Sequence, residues 1–298
     1  MRQYFIIPAL LTVLLSTSCH STKHSGKNTG MPGTWQATPI VVDADSKDWP
    51  SPYPNYDSKS FVGYATSNDK QYLYVTMETG DEYTEMKILK AGMTMWIDTA
   101  GGKGQSLAIH YPLPDDNEPF EMDRGKEKQG GQAGYDNKLR SQDFTQKVKR
   151  SVSDATQLTV EGLPYCSGGF AVTQTNPCGI QVRIGVDEYK ELIWEAAIPF
   201  KALYGKDTLT RADAGRPISV CFSIKGFKKP KSSSDNNSGN GMSNSGGAGG
   251  HSGGMGGGGG RGMGGKGGNQ GQRNGTDPKE QLYETTRTYK YFGLAYQQ

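Results

Sequence analysis

Histidine is scarce in this chain. Among 298 residues only His20, His24, His110 and His251 occur. His20 and His24 lie in a polar stretch near the start and His251 in a glycine-rich stretch, which leaves His110 alone in the part that reads as folded. A multi-histidine zinc site has no material here, and a Ser-His mechanism has little. Cysteine is as sparse: Cys19, Cys166, Cys178 and Cys221, with no CxxC and no CxxCH. Zinc ribbons, thioredoxin-type redox chemistry and covalent haem attachment therefore lose their usual ligands. Charge of one sign is also lacking. The net charge is +3, and from Asn236 to Thr276 no acidic residue occurs while Arg261, Lys266 and Arg273 supply three positive charges. The remainder is neutral, and nucleic acid, which demands a basic face, is not an expected partner. After the first nineteen residues no apolar run approaches the length needed to cross a bilayer.

What the chain has begins with an address. Arg2 is followed by the short apolar run Tyr4 to Leu15, then Ser16, Thr17, Ser18 and Cys19. That order reads as a secretory signal, too short to span a membrane. Small residues directly before a lone cysteine resemble a bacterial lipoprotein signal, although Leu15 stands four residues before Cys19 where such signals place Leu at three. The resemblance implies removal of residues 1–18, a lipid on Cys19 as membrane anchor, and a place in the cell envelope as an outer membrane lipoprotein. The basic residues after Cys19 leave the periplasmic or surface side open. An ordinary cleaved signal beside an incidental cysteine is the alternative.

Residues 19–35 are polar and read as a flexible tether. Hydrophobic periodicity then turns to two, the mark of strands. Phe61 to Thr66 and Tyr72 to Thr79 form a predicted hairpin about the Asn- and Asp-containing turn 67–70. In Met93 to Asp98, Met93, Met95 and Ile97 point one way while Thr94, Trp96 and Asp98 point the other. Leu107, Ile109 and Tyr111 alternate with Ala108 and His110. Further strands are expected around Leu158 and Val160, Val182 to Val186, Leu192 to Ile198, Ile218 to Ile224 and 283–296, with a short helix from Phe200 to Tyr204. Residues from Pro112 to about Lys149 break the rhythm and read as a long loop. Gly supplies 42 residues, about half of them between Gly239 and Gly275, and 231–279 reads as a disordered insertion. The fold class is all-β: one antiparallel β-sandwich, jelly-roll-like, built from 36–230 and 280–298. In an exported protein the spacing of Cys166 and Cys178 suits a disulfide closing a hairpin or loop. Cys221 is left as a small packed residue.

Five stretches in order carry a second resemblance. They are Val41-Val42-Asp43 with Asp48-Trp49, Asn68-Asp69 with Tyr72 to Val75, Gly92 to Asp98, Trp194 to Phe200, and Phe292-Gly293-Leu294. The set resembles family 9 carbohydrate-binding modules and the related DOMON-like sandwiches. The sequence departs from the family at Ala44, where an early Gly is usual, and in the glycine-rich insertion. The resemblance implies a non-catalytic module that grips a polysaccharide or oligosaccharide with aromatic side chains, because a pyranose face is a patch of C–H groups that packs on a ring. Trp96 is the leading contact, with Asp98 and His110 on its face, and Trp194 matches a second aromatic position. Core packing is the competing role for both tryptophans, more so for Trp194, whose face carries Leu192, Ala196 and Ile198. No cofactor and no metal are expected. Asp43, Asp45 and Asp48 lack the Gly and distal Glu of a calcium loop and read as a solvated turn. Gly250 to Gly254 fits G-x-S-x-G only by chance, since its flanks are glycine-rich on both sides. Two other classes stay open: a haem-binding DOMON-like redox protein using His110 and a Met, and a structural envelope lipoprotein whose Gly-rich loop engages a protein partner.

Overall fold

The structure, a computed structural model, describes residues 31–115, 133–229 and 278–297. Among them the strands form two sheets that pack face to face as a β-sandwich. The larger sheet runs β1 (Met31–Pro32), β12 (Thr286–Gly293), β11 (Pro217–Ile224), β5 (Met93–Asp98), β6 (Leu107–His110), β7 (Gln157–Leu163), β8 (Cys166–Ala171). The smaller runs β2 (Asn55–Asp57), β3 (Val62–Asn68), β4 (Tyr72–Thr79), β10 (Leu192–Pro199), β9 (Gln181–Val186). Every pairing between these strands is antiparallel except β1 on β12.

The predicted alternation sets which side chains meet between the sheets. Leu73, Val75 and Met77 of β4 and Leu192, Trp194, Ala196 and Ile198 of β10 face Met93, Met95 and Ile97 of β5 and Ile218, Val220, Phe222 and Ile224 of β11, all at most 1 % exposed. Burying each of the larger side chains contributes about 1.5–3 kcal/mol. The turn 69–71 follows the expected chemistry: Asp69 accepts from the backbone N–H of Gln71 and Tyr72 (2.6 and 2.7 Å) and pins the hairpin. At Gly162 β7 shifts register, φ is +71°, and a Cβ would stand 1.7 Å from the Ser106 carbonyl oxygen, so only glycine fits.

Every residue of β10 is buried, which means that its outward face is covered too. The cover is the N-terminal segment, whose Ile40 and Trp49 pack with Ala65, Tyr74 and Ala197. Glu195 sits in the middle of this apolar layer, fully buried. Its Oε1 accepts from Trp49 Nε1 (2.6 Å), and its Oε2 accepts from the backbone N–H of Ala44 (2.7 Å) and Asp43 (3.1 Å). A buried carboxylate without such partners is expensive, and these donors tie residues 43–49 to the sheet. Ala44 takes φ +65° to make this turn, a left-handed conformation in which glycine is at ease.

Three expectations change. Residues 133–149 are not loop: α2 (Ala133–Asp154) is a 22-residue helix. Its apolar stripe is short. Phe144, Val148 and Val152, spaced by four, pack on the core, and tertiary contact rather than a long periodic pattern holds them. The tether ends earlier than residue 35, because Met31 and Pro32 pair with Phe292 and Gly293, and Trp35 bridges to Asn68 and packs edge-on against Tyr296. The segment between Cys166 and Cys178 contains β8, absent from the sequence reading, and the expected disulfide is present. Cys221 is free and buried, as expected. Most of the glycine-rich insertion lies outside the described residues, though Pro278 and Lys279 already belong to α4 (Pro278–Gln281). Its two ends meet where Phe227 N–H donates to the Leu282 carbonyl (2.8 Å).

Replacing Glu195 by Ala strands two buried donors and one part-buried donor, and urea unfolding is expected to show a loss of about 3–5 kcal/mol. Removing the disulfide with the paired change Cys166→Ser and Cys178→Ser is expected to lower stability by about 2–3 kcal/mol in the same assay. The buried glutamates also set a pH dependence. Burial pushes Glu195 up to about 7 against its donors, Glu78 up to about 7, and Glu85 up to about 8, the last two helped by neighbouring carboxylates. Between the ordinary value of 4.5 and these values the folded chain holds more protons than the unfolded one. Their stabilising effect is therefore complete below 4.5 and is lost as pH rises through 7 to 8. The urea midpoint should fall steadily from pH 5 to pH 8; a midpoint that rises over this window would contradict it.

Candidate ligand-binding face

With β10 covered on both sides, the outward face of the larger sheet is the partly open surface. Strand register places Tyr289, Cys221, Trp96, Ala108 and Glu161 in one row across five strands. A neighbouring row holds Tyr291, Ser219 and Asp98; the other holds Arg287, Ser223, Thr94, His110 and Thr159. Cys221 and Ala108, short side chains beside the rings of this row, are 2 % and 0 % exposed. Tyr289 and Tyr291 stack with centroids 6.0 Å apart and planes 7° apart, and Trp96 meets the His110 ring edge-on at 6.0 Å. Trp96, Tyr289 and Tyr291 are each half-buried, so one side of the aromatic layer is on the sheet and the other reaches solvent.

Polar groups rim this platform. His110 Nδ1 shares a hydrogen bond with Thr94 Oγ1 (2.8 Å). Glu161 Oε2 is 3.3 Å from His110 Nε2, but off the line a hydrogen bond requires, and Nε2 has no such bond. The Tyr291 hydroxyl is likewise buried without a partner among the described residues. Burial raises the Tyr291 pKa, so this hydroxyl keeps its proton. Lys103 lies over the Tyr289 ring (5.6 Å to the centroid), and Gln105 Nε2 donates to the Tyr289 hydroxyl (3.4 Å).

Of the four expected sugar contacts, Trp96 and His110 come together on this face. Asp98 lies beside them but is already occupied. Its Oδ1 accepts from Ala100 N–H (2.8 Å), and its Oδ2 accepts from Gly102 and Gly104 N–H (3.1 and 2.8 Å). A Cβ at either glycine would be 2.8 Å from that Oδ2, which explains the glycines of the loop 99–106. Asp98 organises this loop rather than offering a free carboxylate. Trp194 is not on the face at all. It is fully buried between the sheets, its Nε1 donating to the Tyr111 carbonyl (2.9 Å), and it is a core residue. Met93 and Met95 point into the core from the strand whose other face carries Thr94 and Trp96 beside His110, so neither of them shares a face with His110. Asp43, Asp45 and Asp48 each cap local turn N–H groups, and among the described residues no acidic or His/Cys cluster is arranged to hold a metal. Tyr289 and Tyr291 were not singled out by sequence. Their shared parity with Arg287, opposite Phe292, was legible; their adjacency to Trp96 across β11 was not.

No family model matches the chain, and no curated protein matches it. Among solved structures it is similar to a family 9 carbohydrate-binding module from Caldicellulosiruptor kristjanssonii in complex with cellotriose, at 10% sequence identity and a TM-score of 0.27, over 65% of this chain and 76% of that one.

Asp98→Ala should release the loop 99–106. Hydrogen exchange is expected to show faster exchange at the amides of Ala100, Gly102 and Gly104, with stability lower by about 1–3 kcal/mol. Unchanged exchange there would mean that the loop holds itself without Asp98.

Proposed function

We propose that the outward face of the larger sheet binds a glycan, without catalysis, in an exported protein anchored to the cell envelope. The observation that carries this reading is the half-exposed aromatic platform of Trp96, Tyr289 and Tyr291 on a face otherwise rimmed by polar groups. A pyranose ring laid on it would pack its C–H face on the rings, and its hydroxyls would meet His110, Glu161, Arg287 and Gln105 at the rim. The carboxylates are in keeping with binding: among the described residues Asp98 is held by its loop, and Glu161 is the other carboxylate of these rows.

The envelope address rests on the sequence of residues 1–19, which lie outside the described residues, and on the Cys166–Cys178 disulfide, which belongs to oxidising compartments. Among the described residues no helix is long and apolar enough to cross a membrane, so a lipid on Cys19 is the proposed anchor.

A glycan array with the full chain tests the reading. Wild type should retain one class of oligosaccharide, and Trp96→Ala should weaken it at least about tenfold, the loss of roughly 1.4 kcal/mol of ring contact. Tyr289→Ala serves as the second variant should Trp96→Ala unfold, with the same direction expected. A folded wild type that binds no glycan, or variants that bind like wild type, would sink the proposal.

A further inference from the structure

A separate pocket lies away from the aromatic platform, where the chain after β4, the helix α2 and the β9–β10 turn come together. Its volume is about 290 Å³, near the lower bound for small-molecule sites. α1 (Glu82–Met86) contributes Glu85 to the lining, and Glu85 is only 3 % exposed. Its carboxylate has no hydrogen bond or ion pair among the described residues, yet it borders open space. Glu82 and Glu191 line the same pocket, and Lys190 is the one cation among the described lining residues. From α2 come Phe144, Thr145 and Val148, none of them charged, and the turn adds the ring of Tyr189, which is 77 % exposed.

A buried, unpartnered carboxylate is a costly group in need of an explanation. Burial first, then the neighbouring Glu82, Asp81 and Glu191, push its pKa up to about 8, which favours the protonated form of Glu85 at neutral pH. An anion would be repelled by Glu82 and Glu191. A neutral hydroxyl could donate to Glu85 but would leave the surrounding negative charge uncompensated. An ammonium group answers both demands, with three donors and a positive charge.

We propose that this pocket binds the ammonium group of a small amine, with Glu85 as its buried carboxylate partner and Phe144, Val148 and Tyr189 packing on its carbon body. The amine is that of a hexosamine or of an alkyl chain such as a lysine side chain; the recognised group is the same. This site stands apart from the glycan-binding face, and Trp96→Ala leaves it intact.

Isothermal titration of the full chain at neutral pH with D-glucosamine, n-butylamine and N-acetyl-D-glucosamine tests the proposal. Glucosamine or butylamine should bind, and which of the two binds tells a hexosamine site from an alkylamine site. N-Acetylglucosamine, which has no charge, should show no proton release and no binding that depends on Glu85, whatever it does at the aromatic face. Binding should release a proton as Glu85 ionises, read from the dependence of the heat on buffer ionisation enthalpy. Glu85→Gln keeps the shape and should lower amine affinity at least about tenfold and abolish the proton release. Glu191→Gln, at the pocket rim, should weaken the amine several-fold and serves should the first variant misfold. Failure of both amines to bind, N-acetylglucosamine binding that is equally weakened by Glu85→Gln, or unchanged amine affinity in folded Glu85→Gln would each overturn the proposal.

Discussion

The Glu195 carboxylate holds the N-terminal segment across the smaller sheet, and the openness of the rest of the molecule depends on that clasp. Trp49 Nε1 and the backbone N–H groups of Asp43 and Ala44 converge on it inside an apolar layer. Without a carboxylate there, these donors would be desolvated with nothing to accept from them, and the segment would have no reason to lie on the sheet. With it, β10, which lies between β4 and β9 in the smaller sheet, is covered on both faces.

The partly open surface is the outward side of the larger sheet, and its character follows from side-chain size. Cys221 and Ala108 are short side chains beside the rings, and Trp96, Tyr289 and Tyr291 lie half on the sheet and half in solvent. The loop 99–106, drawn in by Asp98, sets Lys103 and Gln105 beside Tyr289. A flat aromatic layer with a polar border suits a ligand that is itself apolar on one face and polar at its edges. The pocket around Glu85 offers a different chemistry, enclosed and acidic, built where α2 closes against the β9–β10 turn.

Two tryptophans show how parity and layer order combine. Trp96 and Trp194 both sit in apolar, alternating strands, and sequence alone offers each a core role or a surface role. β5 lies in the sheet whose outer face is partly open, so the outward parity of Trp96 brings it to solvent. Trp194 has the inward parity of a strand covered on both faces, and it is fully buried. The same logic places Asp98. Its outward parity was right, but the glycine loop that follows takes up both of its oxygens.

By itself the sequence determined most of the strands but not β1, β2 or β8, and with them the inward faces, the hairpin at Asp69, the short helix α3 (Phe200–Tyr204) and the Cys166–Cys178 pair, because period two, turn residues and spacing are local properties. Strand order, the Glu195 clasp, the docking of α2 and the meeting of Tyr289 with Trp96 were decided by tertiary structure. Each joins residues far apart in the chain: Glu195 with Trp49, Phe144 and Val148 with the core, Tyr289 with Trp96 across β11. Such partners are chosen by which sheet faces become covered, and no local pattern records that choice.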